Sequence, residues 1–144
     1  MIAVDSNVLV AAHRHDAPGH GPASAAVRAL AEDRSPWAIP APCIHEFLAV
    51  VTHPSIFDPP STMDDALAQV EAWRASPSVE LISESGRHWE SLASVLRQSR
   101  AVGPRVHDAR VAAICIDHGA RTILSADRDF VRFPGIEARN PMAR

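Results

Sequence analysis

The chain has no lysine; all 14 of its basic residues are arginine. That absence removes every mechanism built on a lysine. A P-loop needs one against its phosphates, and Schiff-base chemistry needs one as nucleophile. Acidic phosphate-handling sites that pair carboxylates with a lysine are excluded for the same reason. Cysteine is scarce: Cys43 and Cys115 are the only two, in apolar stretches and without CxxC spacing. They read as buried structural thiols, not as a zinc site or a disulfide, and they point to the cytoplasm. No apolar run approaches the roughly 18 residues that a membrane span needs. Asp5 interrupts the N-terminus too early for a secretion signal.

What is present fits one globular unit. The 144 residues are 47% hydrophobic with a net charge of −3, enough for a real core. There is no repeat, low-complexity tract or linker, so residues 1–144 are expected to form a single domain. Charge is uneven. Residues 1–96 carry 5 arginines against 12 acids, and residues 97–144 carry 9 arginines against 5 acids. A basic C-terminal third can contact an anionic polymer, or it can simply solubilise the surface.

Short apolar runs alternate with helical stretches. Strands are predicted at residues 2–4, 37–39, 79–82 and 122–125, with a short fifth at 136–138. Ser6 is predicted to cap the first helix, and Pro22 to open an alanine-rich one ending near Glu32. The helix after Pro42 puts Ile44, Phe47, Leu48 and Val51 on one face. Thr62 and Asp65 resemble a capping box for a helix through Leu67, Val70 and Trp73. A helix over residues 87–99 carries Trp89, Leu92 and Leu96, and one over 107–118 stops at Gly119. Alternating elements with continuously apolar strands predict an α/β fold, its mostly parallel sheet covered on both faces.

Four acids stand beside these element ends. Asp5 follows the first strand, Asp127 the fourth, and Asp108 lies in the first turn of the helix that feeds the fourth. Glu46 lies early in the helix after the second strand. In open parallel sheets, sites form beyond the carboxyl ends of the strands. Each acid alone has a structural role open to it, as a helix cap, a first-turn charge or a turn residue. Gathered at one edge, they would repel one another unless a hard cation neutralised them. Three or four carboxylates with open positions suit Mg²⁺ or Mn²⁺, which can promote in-line hydrolysis of a phosphodiester. Arg14, Arg105, Arg110, Arg128 and Arg132 are candidates to hold the phosphates of such a substrate.

Several stretches then resemble one family. Residues 2–9, Ile-Ala-Val-Asp-Ser-Asn-Val-Leu, look like the opening of PIN domains. Glu46-Phe47 and the run from His107 to Ala113 resemble the second and third acidic positions. The run from Ser125 to Phe130, with Phe133-Pro134-Gly135, resembles the C-terminal signature of VapC-type toxins. The resemblance implies a three-layer α/β/α sandwich around a sheet of four or five strands. It implies a Mg²⁺- or Mn²⁺-dependent endoribonuclease, the toxin of a type II toxin–antitoxin pair, blocked by a VapB-type antitoxin and usually dimeric. Asp5 and Asp108 match the firmest metal ligands, Glu46 and Asp127 complete the catalytic quartet, and Ser6 and Asn7 match supporting positions. Asp129 is the rival to Asp127 for the fourth carboxylate; Asp127 lies closer to the strand end.

Other readings are weaker. A haloacid-dehalogenase-type phosphatase needs a second acid two residues after the first, where Asn7 stands, and a lysine. A catalytically silent RNA- or protein-binding module would not need the quartet. His13, His15 and His20 read as solvated loop histidines, and Trp73 and Trp89 as core or dimer contacts.

Overall fold

The computed structural model describes residues 1–143. Five parallel strands form one sheet: β1 (Ile2–Val4), β2 (Trp37–Pro40), β3 (Val79–Ile82), β4 (Thr122–Leu124) and β5 (Glu137–Arg139). Their order is β3-β2-β1-β4-β5. The chain steps outward from β1 to β2 to β3, then returns to the other side of β1 for β4 and β5. The reversal lies between β1 and β4, where the connections leave in opposite directions. A crevice opens there beyond the strand ends, the usual ligand position in such sheets.

Six helices flank the sheet: α1 (Ser6–His13), α2 (His20–Glu32), α3 (Ala41–Val51), α4 (Met63–Arg74), α5 (His88–Ser99) and α6 (Arg105–Asp117). The first four pack on one another, and α5 packs on α6. Right-handed crossovers send connections made in opposite directions to opposite faces, giving the three-layer α/β/α sandwich. Its core includes Val4, Trp37, Ile39, Ile123 and Phe130, all fully buried. Both cysteines are buried and unpaired.

Several boundaries differ from expectation. Ser6 is the first helical residue, not the cap; the Asp5 carboxylate takes that place, accepting from the Ser6 amide at 2.8 Å. Helix α2 starts at His20, so Pro22 is its third residue. Helix α6 starts at Arg105, two residues before the predicted His107. Its end follows prediction. Gly119, at φ +76°, lets the Ala120 amide reach the Cys115 carbonyl at 2.8 Å and its own amide reach Ile116 at 3.1 Å. Strand β5 runs one residue later than predicted.

In two apolar stripes one residue departs from expectation, while Val70 and Trp73 are buried and Leu92 and Leu96 pack on the core. Trp89 is 71% exposed, and α5 buries Val95 instead. Leu67 is 46% exposed because Ala66 takes the inward position on α4. His13 and His20 are half-buried and bonded, not solvated. The His13 ring lies between the Gln69 amide oxygen (3.1 Å) and the Ser61 hydroxyl (3.0 Å), and His20 Nδ1 is 2.8 Å from the Ala11 carbonyl.

Phe47 holds α3 into this packing. It is fully buried, with edge-on ring contacts to Trp73 at 4.9 Å and to His13 at 5.3 Å. Phe47→Ala should cost about 3–5 kcal/mol of folding free energy, read as a shifted midpoint in urea denaturation.

Candidate active site

Asp5 sits at the switch point, 7% exposed, with donors on both carboxylate oxygens. Oδ1 accepts from the Ser6 amide at 2.8 Å and lies 3.5 Å from the Cys43 thiol. Oδ2 accepts from the Ser125 hydroxyl at 2.7 Å and from Asn7 Nδ2 at 3.1 Å. Burial raises its pKa, opposed by the bonds from Ser125, Ser6 and Cys43. Asn7 also spans the crevice: its Nδ2 donates to Ser125 Oγ at 3.1 Å, and its Oδ1 accepts from the Ala126 amide at 2.9 Å. Ser125 Oγ accepts from the Asp127 amide at 3.0 Å. The start of α1 and the loop after β4 are thus stitched together through polar side chains.

Ser125 was not anticipated as a site residue. The available signal was a hydroxyl residue directly after an apolar strand and two residues before an acid. Cys43 reads from the sequence as plain core, and its contact with Asp5 has no sequence signal.

The four predicted acids meet in one open cleft of about 440 Å³, lined by Asp5, Glu46, Asp108 and Asp127 together with Ser6 and Asn7. Glu46 reaches it from an exposed position on α3. Asp108 shows the cost of gathering them. Loss of water, then repulsion from Asp127, Asp5, Glu46 and Asp129, pushes its pKa up to about 6. Asp127 caps the helical turn Arg128–Arg132 by accepting from the Asp129 amide at 2.8 Å. Asp129 instead faces Arg105 at 3.4 Å and Arg132 at 3.9 Å. Asp127 lines the cleft and Asp129 is occupied beside it, which favours Asp127 as the fourth acid.

The rest of the cleft wall is apolar, with Val10, Pro18, Val50, Ile56, Phe57 and Met142. No sequence pattern marked these residues, because they come from five separate segments. Arg14 is turned away from the acids. It makes a two-pronged pair with Asp16 (2.7 and 2.9 Å), donates to the Pro59 carbonyl at 2.9 Å, and lies 4.4 Å above the Phe57 ring centre. Arg110 lines a second, smaller cleft together with Asp5, Glu46 and Asp108, and Arg128 is exposed beside Asp127.

The donor set fits a hard cation. The main cleft offers carboxylate and amide oxygens, with no imidazole among its lining residues. Among the described residues, no three ligating side chains already converge on one point. Mg²⁺ tolerates that, since it is commonly held by one or two carboxylates and keeps several waters.

Comparison with known proteins agrees with this architecture. Residues 2–136 match the PIN domain family. Ribonuclease VapC43 of Mycobacterium tuberculosis is 35% identical over 142 residues, covering 99% of this chain and 96% of its own. Ribonuclease VapC25 of the same organism is 35% identical over 141 residues, 98% of this chain and 99% of its own. In fold, the chain resembles VapBC2 from Rickettsia felis, solved with a promoter DNA fragment (TM-score 0.70, 17% identity, 97% and 98% covered). It also resembles Mycobacterium tuberculosis VapC20, a sarcin-ricin-loop-cleaving toxin (TM-score 0.66, 18% identity, 95% and 99% covered). A four-acid cleft at the switch point of this fold, with full-length relatives of this kind, means that the chain belongs to the VapC family of PIN-domain proteins.

Proposed function

We propose that this protein is a Mg²⁺- or Mn²⁺-dependent endoribonuclease, the toxin of a VapBC-type pair. The observation that carries the reading is the meeting of Asp5, Glu46, Asp108 and Asp127 in one cleft of a chain whose full-length relatives are ribonucleases. A catalytically silent binding module would gain nothing from keeping mutually repelling acids together.

When bound, the cation supplies a Lewis acid and lowers the pKa of water. The protein's own groups do the rest. Asp5 and Asp108 would hold the cation, with Glu46 and Asp127 completing the acidic set. Ser125, Ser6 and Asn7 fix the Asp5 carboxylate so that its geometry is set before substrate arrives. Arg105, Arg128 and Arg132 stand on the Asp127 side, where they can hold backbone phosphates. Cleavage is hydrolytic and does not use the ribose 2′-hydroxyl, so products carry 5′-phosphate and 3′-hydroxyl ends.

A VapB-type antitoxin is the expected inhibitor, since related VapC proteins were solved as VapBC complexes. A homodimer is the expected assembly; Trp89 and Leu81, 71% and 46% exposed, offer apolar surface for it. Among the described residues no helix is long and apolar enough to cross a membrane. Two free thiols and an RNA substrate suit the cytoplasm.

Incubation with total RNA in Mg²⁺ should give discrete cleavage that EDTA abolishes. Asp5→Asn or Asp108→Asn should lower the cleavage rate by about a hundredfold or more while the protein stays folded; parent-like cleavage by either variant would sink the assignment. Ser125→Ala should weaken Mn²⁺ affinity by about tenfold to a hundredfold, measured by titration calorimetry.

The pH dependence follows from Asp108. Its proton is held more tightly in the folded chain, to about 6 against an ordinary 3.8. The sign is therefore destabilising: cation-free stability is greatest below the ordinary value and is lost as pH rises through about 6. Discounted for solvent screening, the loss is on the order of 1 kcal/mol. Thermal melting in EDTA should show it, and Asp108→Asn should flatten it.

A further inference from the structure

The acids border two clefts of different character. Asp5, Glu46 and Asp108 line both the main cleft and a smaller one of about 160 Å³. The main cleft has no arginine or histidine among its lining residues. The smaller one adds His45 from α3 and His107 and Arg110 from α6. Hydrogen-bond donors able to meet an anion therefore gather in the smaller cleft, beside the same three acids.

The three donors suit that task. His45 and His107 are exposed, and neither imidazole is bonded to another group among the described residues. Arg110 is held by Glu84, which pairs with its Nε and Nη2 and so fixes the direction of the guanidinium. Nη1 carries two further N–H donors. The flanking arginines Arg105 and Arg132 are tied to Asp129, so they do not serve this side.

The geometry points to a phosphate seat in the smaller cleft. His45, His107 and Arg110 together take a backbone phosphate of the RNA strand next to the one being cleaved. This rests on the ribonuclease reading and deepens it. An RNA strand repeats its phosphates, so a phosphate that reaches the acids brings a neighbour with it. The main cleft offers the neighbour no arginine or imidazole donor, whereas the smaller cleft, which shares Asp5, Glu46 and Asp108 with it, adds His45, His107 and Arg110. The seat also gives the strand a direction: backbone toward α6 and the smaller cleft, base and sugar toward the apolar walls formed by Ile56 and Phe57.

The test uses fluorescein-labelled single-stranded RNA of mixed sequence, with Ca²⁺ replacing Mg²⁺ to suppress cleavage, followed by anisotropy. A His45→Ala/His107→Ala double variant should bind about tenfold more weakly, the size expected for losing hydrogen bonds to a charged group. Its Mn²⁺ affinity, followed by electron paramagnetic resonance, should match the parent. Arg110→Ala should lower the slope of log affinity against log salt by about 0.7, as for one lost phosphate contact on a single strand. His107→Gln, an exposed replacement, gives the same reading at smaller size if the double variant melts early.

Unchanged RNA affinity in these variants overturns the seat. So does a matching loss of Mn²⁺ affinity, which would make the histidines cation ligands. So does weaker binding of a VapB-type peptide with RNA binding intact. Cleavage by the parent protein in Mg²⁺ is read separately: its absence overturns the ribonuclease reading, whereas parent cleavage with unaffected variants overturns only the seat.

Discussion

The structure depends on one buried carboxylate that does two jobs. Asp5 caps α1 and at the same time faces the crevice where β1 and β4 part. Capping fixes the direction in which α1 leaves the sheet. The bonds from Ser125 and Asn7 fix how the loop after β4 lies against it. Because one carboxylate meets both elements, the position of Asp127 is set by the anchoring of Asp5. The site is therefore part of the fold's own polar stitching.

That stitching carries a cost, and the cost defines the site. Burial and mutual repulsion push the Asp108 proton up to about 6, so the gathered acids weaken the empty protein near neutral pH. The proposed hard cation would reverse the sign, because it is attracted by the charges that repel one another. Binding and folding would then be coupled through these side chains. Asp129 is kept out of the repulsion by Arg105 and Arg132, which explains why two acids so close in sequence take different places.

Much of this was legible in the sequence. Five strands in alternation with helices, the acids at their ends and the helix stop at Gly119 all follow from local patterns with a physical cause. Asp127 was preferred over Asp129 from its nearness to the strand end, and it is the one that lines the cleft. What was not legible came from elsewhere in the fold. Ser6 looked like a cap because serine commonly is one, but a stronger acceptor stood one residue earlier. Trp89 reads from its spacing as core or a dimer contact, and because α5 turns Val95 inward the ring is exposed and only the second reading stays open. The cleft walls at Val50, Ile56, Phe57 and Met142 come from distant segments. Arg14 looked like a phosphate ligand but serves to hold the loop around Pro59.

The central claim is that these four acids together form one cation site. Anomalous diffraction from crystals soaked in Mn²⁺ tests it most directly. The account predicts a peak in the main cleft, within coordination distance of Asp5 or Asp108. A soaked crystal with its Mn²⁺ bound only elsewhere on the surface, and none in that cleft, would contradict it.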